Sequence, residues 1–347
     1  MVNHGHGGIH MSKSLTRRSF AAGIASAGSL VLASRSSAQT PDAAGTEGGD
    51  DVRVVNAVNG DIELTGTPQR VIAMEYELVE HMQSVGVVPV GATERDSINV
   101  WVPLNEPLSE EDVADVGLRA EPDLEAFISL EPDLILAASP RQDAVIDQLE
   151  GIATTVQLET YSPRSTPSGS DTSLDHAKGV LRNVALALNK VDEAEAAITD
   201  FDTHLTDAAA KVAELGYEGH PFVYGSIILS DTGTVNVFTD LSRIAATLTG
   251  LGMTNAISLD ENPGSHFVAM SLEQIGTLPD DILFFYSLSA PAMEAINETL
   301  DSPVWQSAGF VQNGGVVDLG EPNIWTAGGL ITLSGVTDRV VSALEAR

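Results

Sequence analysis

The chain has 347 residues, 49 Asp and Glu against 17 Lys and Arg, a formal net charge of −32 and no Cys. That length exceeds one ordinary core and suits two domains, and 43% hydrophobic with 19% charged content excludes wholesale disorder. So negative a field repels nucleic acid and anionic membranes, and without Cys there are no disulfides, thiolate metal sites, Cys nucleophiles or lipidated anchors.

The basic residues include only four Lys (Lys13, Lys178, Lys190 and Lys211), and the acids are scattered rather than gathered in a tail. Hydrated, dispersed carboxylates suit high salt, where screening is nearly complete, so the composition points to a halophilic source. The first 38 residues read as a twin-arginine export signal. Thr16-Arg17-Arg18-Ser19-Phe20 precedes an apolar, small-residue stretch, and Ser36-Ser37-Ala38 offers small residues at a cleavage site. That stretch is too short to span a bilayer, so the mature chain is expected outside the cytoplasmic membrane, with no lipid anchor. Residues 39–51 read as a flexible lead.

From about residue 52 the pattern alternates short strands and helices. Arg70 to Ala73 reads as a strand, Glu77 to Val85 as a helix stopped at Gly86, Val87 to Gly91 as a strand, Asp123 to Leu130 as a short helix, and Asp133 to Ala137 as a buried strand. The second half repeats the grammar with Phe222 to Tyr224, Ser242 to Gly250, Leu272 to Leu278, and Asp281 to Tyr286. Aligning Glu125 on Glu273 also pairs Leu124 with Leu272, Phe127 with Ile275, Leu130 with Leu278 and Asp133 with Asp281. Each half therefore carries one helix-to-strand unit. Between the halves, Ala177, Val180, Leu181, Val184, Leu188 and Val191 keep helical spacing behind Thr172 or Ser173 as cap. A second run, from Ala194 to Leu215, follows a capping-box-like Asp192 and Glu195 and ends at Gly216.

The expected fold is α/β, two Rossmann-like lobes joined by a long rigid backbone helix, the alternative for the two central helical runs being surface helices of the second lobe. The divisions are 52–172 for the first lobe, 173–195 for the connecting helix and 196–347 for the second lobe. No nucleophile elbow, Walker loop, paired helical His or dinucleotide fingerprint is present. His81, His176, His204, His220 and His266 lack ligand spacing and read as surface or loop residues. Catalysis therefore has no visible machinery, which weighs against an exported cofactor enzyme, the alternative from another class; what remains is a set of aromatic and Arg residues in loops after strands, where open α/β sheets bind ligands.

Four segments carry a resemblance. They are Pro68-Gln69-Arg70-Val71-Ile72-Ala73-Met74-Glu75-Tyr76, Gly86-Val87-Val88-Pro89-Val90-Gly91, the run Asp115 to Glu125 containing Gly117-Leu118-Arg119, and Pro303-Val304-Trp305-Gln306. Together with Asn323-Ile324-Trp325 they resemble the iron-siderophore substrate-binding proteins of ABC importers, best matching the ferrichrome, or hydroxamate-siderophore, branch. The resemblance runs in order from about residue 52.

The resemblance implies capture of a ferric siderophore between the lobes, with the iron kept inside its chelator. No cofactor and no direct metal ligand is expected, and the partners are an ABC permease and its ATPase, met by a monomer. Arg119 matches the position that faces the iron-bound hydroxamate oxygens, a task that suits a planar, permanently charged fork. Trp101 and Trp325 match or adjoin aromatics of the cleft wall, and Tyr76, Arg141 and Phe267 are further ligand-contact candidates. Glu125 and Glu273 match glutamates that dock onto the permease. Against the branch pattern, Leu136 to Arg141 lacks an aromatic and Asn262 to Phe267 lacks a Trp, which leaves ferric citrate, haem or cobalamin as other ligands.

Overall fold

The computed structural model describes residues 52–161, 172–227, 234–257, 266–287, 293–320 and 328–347. The export signal and lead (1–38 and 39–51) and Trp325 lie outside them. A hairpin, Arg53–Ala57 with Gly60–Leu64, opens the fold. The first sheet has five parallel strands in the spatial order Ala114–Asp115, Gly91–Ala92, Val71–Ala73, Leu134–Ser139, Thr155–Glu159. Val71, Ile72 and Ala73 are all buried, as are Leu134 through Ala138, because helices cover both faces of a parallel sheet. Of these five, Val71–Ala73 comes first in the chain and lies at the centre, with the next two on one side and the last two on the other. Its carboxyl end is therefore a topological switch point, where open α/β sheets form ligand crevices.

The second sheet is mixed. Pro221–Ser226, Leu283–Tyr286 and Val316–Asp318 run parallel, Thr254–Asn255 pairs with the start of Pro221–Ser226, and antiparallel Thr234–Phe238 and Phe267–Ser271 extend the other edge. The paired units recur as aligned: Leu124–Ser129 leads into Leu134–Ser139, and Leu272–Ile275 into Leu283–Tyr286. Two α/β halves are thus joined through the helix Ser173–Leu188, which packs on the Tyr76–Ser84 helix of the first half and the Arg243–Gly250 helix of the second.

Thr172 and Asp175 close a full capping box at the start of that helix. The helix does not run to residue 195. Asn189 adopts the left-handed conformation (φ 58°) that ends it, and a separate helix, Val191–Glu214, follows. Asp192 and Glu195 form no capping box there: Lys190 is the cap residue without a side-chain bond, and Glu195 instead receives Arg182 at 2.6 Å. The strand expected over Val87 to Gly91 shrinks to Gly91–Ala92, because Gly86 takes φ 73° and Val88 turns out to solvent. His81 is also not a surface residue, since it lies fully buried on the Tyr76–Ser84 helix. Among the described residues no helix is long and apolar enough to cross a membrane.

Candidate functional site

Each of the five parallel strands of the first sheet delivers a polar side chain just past its carboxyl end: Glu75 and Tyr76, Glu94, Arg119, Arg141, and Tyr161. Glu75, 1% exposed, caps the Tyr76–Ser84 helix and receives Arg119 Nη1 at 2.9 Å, Arg141 Nε at 2.9 Å and the Tyr161 hydroxyl at 3.0 Å. Glu94 accepts the Tyr76 hydroxyl at 2.5 Å, Arg119 Nε at 3.1 Å and the Arg119 backbone N–H at 3.1 Å. The Arg119 guanidinium also lies 4.0 Å from the Tyr76 ring centroid, and Arg141 Nη2 donates to the Tyr161 hydroxyl.

Local sequence explains the presentation of Arg119. Gly117 adopts φ 90°, where a Cβ would meet the Asp123 backbone nitrogen at 2.7 Å, so only glycine fits. Leu118 and Glu121 exchange backbone hydrogen bonds across a tight turn with Arg119 at its tip. Gln142, fully buried, donates to the Arg119 carbonyl at 2.8 Å and pins that turn. Glu94 itself sits at φ 50°, a conformation uncommon outside glycine and held by its bond to the Gly117 carbonyl.

Charges balance inside the cluster. Burial pushes the Glu94 carboxyl up, but hydrogen bonds from Tyr76 and Arg119 outweigh it and hold it below the usual range. Burial lowers the Arg119 guanidinium, yet Glu75 more than compensates and raises it; Arg141 is likewise raised, by Tyr161 and Glu75. Burial and the Glu94 bond raise the Tyr76 phenol, and burial with the Glu75 charge pushes Tyr161 up to about 12. Two guanidiniums thus face two carboxylates with two neutral phenols between them.

The structure brings Arg119, Tyr76 and Arg141 together. Trp101 ends the Arg95–Trp101 helix and packs, partly buried, on the main apolar core. Phe267, 43% exposed, stands on the second sheet with its ring 6.2 Å from that of Phe238. Glu125 and Glu273 are exposed, each the second residue of a short helix, behind Asp123 and Ser271 as caps. Sequence reasoning missed Glu75, Glu94, Gln142 and Tyr161. Tyr161 follows the neighbouring strand, Thr155–Glu159, and bonds Glu75 and Arg141 beside the Leu136 to Arg141 loop, which itself lacks an aromatic. Its position two residues past Thr155–Glu159, where Val156 and Leu158 alternate with polar residues, was the available signal.

Residues 71–322 match the model of the periplasmic binding protein family. The chain belongs to that family. Periplasmic binding proteins are substrate-binding components of transport, and membership implies a location outside the cytoplasm. Similar members include the Fe(3+)-citrate-binding protein YfmC of Bacillus subtilis, 28% identical over 86% of this chain and 87% of the relative. The iron(3+)-hydroxamate-binding protein FhuD of Escherichia coli is 26% identical over 76% and 83%. Among solved structures, FhuD of Vibrio cholerae with Fe3+-Desferal superposes with a TM-score of 0.68 at 25% identity, covering 80% of this chain and 98% of that one.

Proposed function

We propose that this periplasmic binding protein captures a ferric siderophore of the hydroxamate type between lobes at 52–172 and 196–347 and delivers it to an ABC permease and its ATPase. The carrying observation is the electroneutral donor cluster. Arg119 and Arg141 bring guanidinium N–H groups to one place, Tyr76 and Tyr161 brace them by donating their hydroxyls to Glu94 and Glu75, and those two carboxylates cancel the two positive charges. Three hydroxamate monoanions around Fe3+ make a complex without net charge whose oxygens accept hydrogen bonds, so it meets such a surface without repulsion. A ferric citrate or tris-catecholate complex is anionic and would face two carboxylates already inside an acidic protein.

In this reading the iron keeps its chelator oxygens, the protein adds no metal ligand or cofactor, and no reaction is catalysed. Phe267 and the tryptophans Trp101 and Trp325 are proposed as apolar wall, and Glu125 with Glu273 as the permease contacts; their exposure at matched helix positions in the two halves supports that role. Export by the twin-arginine route, a high-salt habitat, a monomeric state and a ferrichrome-like ligand complete the proposal.

Ferric citrate is the second reading, favoured by the similarity to YfmC. Titration in high salt with ferric desferrioxamine, iron-free desferrioxamine, ferric citrate, haem and cobalamin, followed by Trp fluorescence, decides between them. Ferric desferrioxamine is expected to bind at least about tenfold tighter than ferric citrate, a difference of about 1.4 kcal/mol. Equal or tighter citrate binding rejects the hydroxamate class, and a response to haem or cobalamin alone rejects ferric chelates altogether.

A further inference from the structure

Directly behind the ligand cluster lies a second polar group that none of the proposed ligand contacts includes. Arg243, 2% exposed, is the first residue of the Arg243–Gly250 helix in the second half, yet its guanidinium reaches into the first. Nη1 lies 2.5 Å from Glu77 Oε1 and donates to the Gly328 carbonyl at 3.2 Å. Nη2 donates to the Thr160 carbonyl at 2.5 Å and lies 3.1 Å from His176 Nδ1 on the joining helix.

The partners are specific in sequence. Glu77 follows Glu75 and Tyr76 on the same helix start, Thr160 immediately precedes Tyr161, and Gly328 directly follows residues 321–327, which hold Trp325. One turn beyond Glu77, Glu80 repeats the connection. Its carboxylate receives the Gly329 N–H at 2.8 Å, the Thr332 N–H at 2.6 Å and the Thr332 hydroxyl at 3.0 Å, capping the Leu330–Glu345 helix of the second half.

We propose that Arg243 is a positioning residue of the ligand site, which fixes the Tyr161 loop and the Tyr76 helix start of the first half against the second half and the joining helix. This rests on the siderophore-receptor reading. A planar guanidinium can serve four groups lying in different directions; an ammonium at the end of a lysine chain cannot. A buried charge pair also resists displacement, because parting the two leaves each charge uncompensated away from water. The consequence for function is that Tyr161, and the Arg119 and Arg141 guanidiniums that Glu75 anchors, meet an incoming chelate already in place, so the ordering cost is met on folding rather than on binding.

A double-substitution cycle tests this, with ferric desferrioxamine as probe and the thermal midpoint recorded in parallel. Arg243→Lys is expected to weaken binding about tenfold, and Tyr161→Phe in the parent chain about fivefold. If Arg243 acts through the Tyr161 loop, the Tyr161→Phe loss shrinks below about twofold in the Arg243→Lys background, since the hydroxyl is already misplaced. A merely structural role for Arg243 lowers the thermal midpoint but leaves the Tyr161→Phe factor equal in both backgrounds, and that result overturns the proposal. If Arg243→Lys does not fold, Glu77→Gln replaces it in the same cycle, with the same two outcomes deciding. A parent chain that binds no ferric chelate overturns the receptor reading itself, a failure distinct from equal factors in a chain that does bind.

Discussion

The Arg119 guanidinium stacks 4.0 Å from the centre of the Tyr76 ring, and both residues bond the same Glu94 carboxylate, Tyr76 at 2.5 Å and Arg119 Nε at 3.1 Å. Arg119 is thereby aimed before any ligand arrives. With 14% of its side chain exposed, it keeps only an edge toward solvent. Arg119→Lys removes the fork and the planar stack while retaining the charge. Binding of ferric desferrioxamine is expected to fall by about 10 to 100-fold, with the fold intact by circular dichroism.

Gly117 sets the turn that carries Arg119. Gly117→Ala forces a Cβ to within 2.7 Å of the Asp123 nitrogen at a backbone angle of φ 90°. The expected cost is about 1–3 kcal/mol of stability, read by chemical denaturation, together with weaker ferric-chelate binding. Unchanged values for both would contradict a turn that only glycine fits.

Glu80 binds three donors with two acceptor oxygens. Burial raises its carboxyl, with the Thr332 and Gly329 bonds opposing. Glu80→Gln substitutes an amide group for one of those oxygens and turns N–H toward N–H. A loss of about 1–3 kcal/mol is expected in urea unfolding.

His176 gives the pH dependence its sign. Burial first, then the Arg243 charge, lowers it from the ordinary 6.5 to about 4, with Glu77 opposing and His266 and His81 adding to the depression. The folded chain holds this imidazole neutral, whereas the unfolded chain takes up the proton as pH falls below about 6.5. Stability is therefore expected to decline between about pH 6.5 and 4 and to lose no more from this group below that. His176→Gln should flatten that part of the profile of thermal midpoint against pH; an unaltered slope would assign the decline elsewhere.

Much of the fold was legible in the chain. Buried parallel strands such as Leu134–Ser139 read as unbroken apolar runs, and Thr172 or Ser173 before a helical apolar spacing announces a helix start, because both signals depend on neighbours a few residues apart. The antiparallel strands Thr234–Phe238 and Phe267–Ser271 at one side of the second sheet were not legible, since a five-residue antiparallel strand is specified by its pairing partner. Nor was the break at Asn189, where helical apolar spacing continues on both sides of one left-handed residue.

What the sequence by itself determined is the α/β grammar, the matched units around Glu125 and Glu273, the acidic charge, and the candidacy of Arg119, Tyr76 and Arg141. Only the tertiary structure decided that Glu75, Glu94 and Tyr161 join them, and that Arg243 reaches from one half into the other. The physical reason is distance along the chain: Arg119 meets Glu75 across 44 positions, and Arg243 meets Thr160 across 83. Local propensity does not encode such meetings. They arise because parallel strands bring their carboxyl ends to one edge of a sheet, and because the two halves close over polar groups that each must satisfy through the other.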